Sequence, residues 1–180
     1  MPTAAILPTG LDAATEWNPG GASNVALVSD DVDANAIWSV TQFDVDRYTT
    51  GALPGAAASI NSVAFKIRCR NDSGFGSTCK VYGRCYIGAA YETLNTGVLT
   101  SSYVTAVNNA LPRPGGGSWV VGDFPLVLEV YLAELADPLF DAAYTTKVWL
   151  EVDYNEAASG KAGAKWTTIK RLGRTRGRDF

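Results

Sequence analysis

The side chains able to do reaction chemistry are few. The 180 residues include no histidine. That removes the usual general base, the Ser-His-Asp and Cys-His arrangements and the commonest zinc ligand. A carboxylate pair for glycoside cleavage need not be close in the chain. Glu129, Glu151 and Asp153, however, alternate with apolar residues and read as the wet faces of strands. Cys69, Cys79 and Cys85 are spaced by ten and six, which matches no zinc pattern. They read as small core hydrophobes. A Cys69–Cys79 or Cys69–Cys85 bridge fits the same placement, but a cytoplasmic product keeps its thiols reduced. Asp30, Asp31 and Asp33 offer calcium a carboxylate cluster without the spacing or glycine of an EF-hand; solvated loop acids are the plainer reading. Asn71-Asp72-Ser73 is a glycosylation sequon by pattern only. The expectation is no catalytic residue, no cofactor and no enzyme activity.

Binding chemistry is better represented. Tyr82 and Tyr86 flank Arg84 on one predicted outer strand face, and Trp149 stands among Lys147, Glu151 and Asp153 on another. Tyr, Trp and Arg are enriched where proteins meet proteins, and aromatic rings also stack on sugars. A covering N-terminal arm, or a reversed face on one strand, explains Trp149 equally. The C-terminal segment adds Trp166, Ile169, Lys170, Arg171, Leu172, Arg174, Arg176 and Arg178. Residues 161–180 hold seven Lys or Arg against one Asp, a net +6, while the rest holds eight basic and seventeen acidic residues, a net −9. An acidic body with a basic tail suggests an arm that meets an acidic surface: nucleic acid, another protein or a copy of its own body. Its apolar anchors point to a protein surface before nucleic acid, since phosphate binding does not require them.

These residues need elements to hold them. In 144–154 (YTTKVWLEVDY) every second residue, Tyr144, Thr146, Val148, Leu150, Val152 and Tyr154, shares one face of a strand. The same period predicts strands over 24–28, 36–43, 59–70, 78–88, 99–107 and 124–135. Residues 59–70 and 78–88 are expected to pair as an antiparallel hairpin across the turn 71–77. Residues 29–35, 44–58 and 111–122 read as loops, and 1–22 as an extended arm anchored by Trp17. Seven or eight strands without a helical period predict an all-β, antiparallel β-sandwich or closed barrel over 23–155, with an N-terminal arm over 1–22 and a basic arm over 156–180. No apolar run is long enough to cross a bilayer as a helix. The start, MPTAAILPTGLD, lacks the pattern of a secretory signal.

The order of features resembles jelly-roll proteins found in virions of tailed bacteriophages. The matching stretches are Trp17 in a Pro/Gly-rich lead, Asp30-Asp31-Val32-Asp33, SINSVAFKIRCR (59–70), LTSSYVTAV (99–107), the Pro/Gly loop into Ser118-Trp119, LVLEVYL (126–132) and KVWLEVDY (147–154). Val120 departs from the pattern, where Thr is expected, and the basic tail runs past the usual end. The resemblance implies an antiparallel jelly-roll-like β-sandwich and a structural role in a virion, as a capsid decoration or cement protein or as a neck, collar, tail or baseplate component. It implies partners among other virion proteins, a homo-oligomer, synthesis in the host cytoplasm and no membrane association. A glycan-binding module on a tail is the competing expectation.

Overall fold

The computed structural model describes residues 1–19, 23–30, 32–72, 78–136 and 142–158. Among them, besides one 3-10 turn over Val121–Asp123, are ten strands and one α-helical turn. In chain order these are β1 (Thr3–Ile6), β2 (Pro8–Thr15), α1 (Ser23–Leu27), β3 (Ile37–Ser39), β4 (Val45–Thr50), β5 (Ala57–Asn71), β6 (Cys79–Ile87), β7 (Ala90–Asn95), β8 (Val104–Asn108), β9 (Val127–Leu135) and β10 (Ala143–Glu156). They form two antiparallel sheets around one core. The first runs β1-β10-β5-β8, with β3 also on β10; the second runs β2-β4-β9-β6-β7. From β3 onward the orders β3-β10-β5-β8 and β4-β9-β6-β7 are those of an eight-stranded jelly roll. The chain is therefore an all-β, antiparallel sandwich.

The strands with apolar alternation form as the period predicts. On β10, Val148, Leu150 and Val152 are fully buried, as are Leu128, Val130 and Leu132 on β9. A register shift between Thr145 and Lys147 buries both Thr145 and Thr146, so Tyr144 turns outward instead of continuing the inner stripe.

Pairing departs from expectation. β5 and β6 are not a hairpin: β5 bonds to β10 and β8, and β6 to β7 and β9. Their apolar faces meet across the core, where Gly83 of β6 makes room; a methyl there would lie 2.7 Å from the Phe65 ring. Alternation fixes which face is buried and leaves the partner open. Cys69 consequently lies in one sheet and Cys79 and Cys85 in the other, all buried and none in a disulfide. Burial pushes the Cys69 and Cys85 thiols up to about 12, so they behave as inert core side chains.

Three further expectations are corrected. Residues 1–22 are not simply an arm: β1 and β2 are edge strands of the two sheets, and Pro8 is tolerated because an edge need not donate on both sides. Residues 24–28, expected as a strand, instead fall in and just after the turn α1 (Ser23–Leu27). Residues 45–50, read as loop, are a strand inside the second sheet whose inward residues are Asp46, Tyr48 and Thr50; polar side chains hid the period. β7 had no counterpart in the sequence reading. At the other end, β10 takes in Glu156; residues 159–180 lie outside the described residues.

Asp46 ties the N-terminal segment to the body. Its Oδ1 accepts from the Trp17 backbone N–H at 3.0 Å, and its Oδ2 accepts from Asn24 Nδ2 at 2.5 Å and from the Tyr48 hydroxyl at 2.8 Å. Trp17 itself is 1% exposed, and its Nε1 donates to the Asp44 carbonyl.

Two outcomes follow. Leu150→Ala should cost about 2–5 kcal/mol in a denaturant melt, and Lys147→Ala, on the outer face, should stay within about 0.5 kcal/mol; equal losses contradict the face assignment. Burial raises the Asp46 pKa, so the folded chain takes up that proton before the unfolded chain does. Its contribution to stability therefore rises as pH falls toward the ordinary carboxylate range. The stability gap between wild type and Asp46→Asn should widen from roughly pH 7 to roughly pH 4; a gap that narrows contradicts this.

Candidate binding face

The outer face of the second sheet carries a charged row between two aromatic rows. Pairing sets Arg47 of β4 beside Glu129 of β9, and Glu129 beside Arg84 of β6. One row along, Tyr131 pairs with Tyr82, and Tyr82 with Asn95 of β7. On the other side, Tyr86 pairs with Tyr91. Residues two apart on a strand share a face, so a single outward stripe per strand assembles all three rows.

Glu129 is the centre. The expectation of a solvated acid is wrong: it is 1% exposed although it lies on an outer face. The Arg and Tyr side chains around it exclude water. Its Oε2 accepts from Arg47 Nε at 2.7 Å and from the Tyr86 hydroxyl at 3.0 Å, and its Oε1 from Arg84 Nη1 at 2.9 Å. A buried carboxylate persists only when its charge and lone pairs are answered in this way. Two arginines against one acid leave the cluster net positive.

The rings complete it. The Arg84 guanidinium lies 4.3 Å from the Tyr131 centroid and 4.9 Å from that of Tyr91, and Arg47 lies 4.9 Å from that of Tyr86. Tyr82 meets Tyr131 edge-on at 5.4 Å, and Tyr86 meets Tyr91 at 5.2 Å. Burial raises the Tyr86 and Tyr131 phenols, so both stay neutral hydrogen-bonding groups near neutral pH. Arg84 Nε is buried with no hydrogen-bond partner among the described residues. Tyr91, at the sheet edge, is 49% exposed. The set can bind, by stacking and by donating to acceptors; nothing in it suggests a nucleophile.

The structure thus brings Tyr82, Arg84 and Tyr86 together and adds Arg47, Tyr91, Glu129 and Tyr131. The alternation that exposed the first three also places Tyr131 outward, while Arg47 was hidden in a supposed loop.

Trp149 lies on the other sheet and is only partly exposed. Lys66, its cross-strand partner, and Lys147 stand 5.9 and 5.1 Å from its ring, and Lys66 pairs with Glu151 at 2.6 Å. Lysine stems therefore cover much of a ring read as bare. On the same face Arg70 sits between Tyr103 and Tyr144, at 5.2 and 4.2 Å.

The acidic loop is occupied internally. Asp33 takes two hydrogen bonds from Arg68, at 2.7 and 2.6 Å, which hold its carboxyl below the usual range. Asp30 accepts from the Val32 N–H and from Asn35 Nδ2. Asp31 lies outside the described residues, as do Trp166, Ile169, Lys170, Arg171, Leu172, Arg174, Arg176 and Arg178 of the tail. Among the described residues no group of three or more His, Cys, Asp or Glu is placed to hold a metal. Asn71, the sequon asparagine, is buried.

Glu129→Ala should cost about 3–5 kcal/mol, because it leaves two guanidinium groups facing each other without their counter-ion. Glu151→Ala, which removes a half-exposed pair, should cost about 1 kcal/mol or less. Urea melts compare the two, and equal losses contradict the central place given to Glu129.

No family model matches the chain, and no curated protein matches it. Among solved structures it is similar to the carbohydrate-binding module TmCBM61 in complex with β-1,4-galactotriose, at 10% identity and a TM-score of 0.40, over 83% of this chain and 87% of that one.

Proposed function

We propose that this chain is a structural subunit of a tailed-bacteriophage virion, a capsid decoration or cement protein that docks on a neighbouring subunit through the tyrosine–arginine face of its second sheet. The observation that carries this reading is Glu129, buried on an outer face and holding Arg47, Arg84 and Tyr86 in place. Such a face is ordered before anything binds, so little side-chain entropy remains to be lost on docking. Tyr and Arg are the residue types that dominate interface energies. The virion setting rests on the order of sequence features, from Trp17 to Lys147–Tyr154, and the jelly-roll strand order agrees with it. A neck, collar or tail position suits the same face.

One observation favours a second reading, a glycan-binding module. Tyr91 lies half exposed against Tyr86, with Arg84 beside it, a ring-and-donor arrangement on which a sugar can stack.

The double substitution Tyr82→Ala, Tyr91→Ala should leave the fold intact and weaken binding to particles lacking the protein by roughly 2 kcal/mol. A variant that docks normally but loses signal on a glycan array establishes the second reading instead.

A further inference from the structure

The two flanks of the sandwich are finished differently. On one, the N-terminal segment adds β1 and β2 beyond the jelly-roll strands. On the other, β7 and β8 end their sheets, and neither has a second strand partner among the described residues. β8 bonds to β5 alone over Val104–Asn108, and the contact is prolonged by the Asn71 N–H to the Thr100 carbonyl and the Leu111 N–H to the Val63 carbonyl. An open edge of this kind presents a row of backbone donors and acceptors, and stable monomers usually blunt it with charges, prolines or bulges. None of these occurs along β8. Neither a charged residue nor a proline stands between Glu92 and Pro112. The pairing of β5 with β8 is in continuous register. Two of the strand's own apolar side chains, Val104 and Val107, are 39% exposed each.

We propose that the β8 edge is the contact between copies of this chain: β8 pairs antiparallel with β8 of a second copy, extending the first sheet across the interface. Charge decides the occupant. A charged edge repels its own copy, whereas a neutral one meets itself without penalty. The basic residues of 161–180 would find no acidic group on this strand, so the tail is the poorer match. Antiparallel self-pairing is also the arrangement that a two-fold axis generates, and it closes on itself. The inference stands apart from the virion reading, since it uses a different sheet from the Glu129 cluster.

The test uses the full chain. Sedimentation velocity over a concentration series should show a reversible dimer, and amide exchange over 100–111 should slow as the dimer forms. Val107→Glu sets a carboxylate near Lys66, its pairing partner on β5, and so tolerates the monomer, but it places like charges across the axis. It should weaken the dimer by about tenfold or more with little change in melting temperature, while Val107→Thr should dimerise as wild type does. Thr105→Glu, beside Arg68, is the second variant should Val107→Glu fold poorly. A wild-type chain that stays monomeric overturns the inference and leaves the docking reading intact. A dimer that both Glu variants leave unchanged also overturns it, as does one lost only on deleting 161–180, which would assign the contact to the tail.

Discussion

A carboxylate removed from water must have its charge answered, and Glu129 meets that demand with groups from the two strands that flank its own. Arg47, Glu129 and Arg84 form one row across β4, β9 and β6, and only the observed register aligns them. A slip of one residue on any of the three would turn its member of the row toward the core. The cluster thus acts on specificity as well as energy: it marks one pairing of the second sheet as correct. Tyr82, Tyr86, Tyr91 and Tyr131 pack around the cluster, so the charges that order the face also hold the rings of the candidate docking surface.

The rest of the fold supports this sheet. The core holds its inner face, with Leu128, Val130 and Leu132 of β9 against the buried stripe of the first sheet. Asp46, on the inner side of β4, draws Trp17 and Asn24 down onto the strand that carries Arg47 on its outer side. One strand therefore links the closure of the N-terminal segment to the row that orders the binding face. Around the loop before β9, Arg113 grips Asp123 at 2.9 and 2.8 Å and the Gly116 carbonyl at 3.0 Å, with Gly115, Gly116 and Gly117 all at positive φ. That grip fixes the entry into β9.

Some of this was legible in the sequence. Strict alternation of large apolar residues identified β5, β6, β9 and β10 and their inner faces, and it put Tyr82, Arg84 and Tyr86 outward. It did not give partners, because period two reports a face and carries no information about the neighbouring strand; hence the supposed β5–β6 hairpin. β4 was missed because its inner positions are Asp46, Tyr48 and Thr50, and β1 and β2 because alanine, glycine and proline mask an edge strand. Glu129 looked solvated because its ion partners lie 82 and 45 residues away. A buried charge is recognisable only once its counter-ions are in place.

The central claim is that the Glu129-ordered face is where the chain docks. Hydroxyl-radical labelling of tyrosines, compared between the free chain and the assembled particle, tests it most directly. The account predicts that Tyr91, and to a smaller degree Tyr82, Tyr86 and Tyr131, are protected in the particle, while Tyr103 and Tyr144 on the opposite sheet keep the labelling of the free chain. Equal labelling of Tyr91 in both states, or protection confined to Tyr103 and Tyr144, would contradict it.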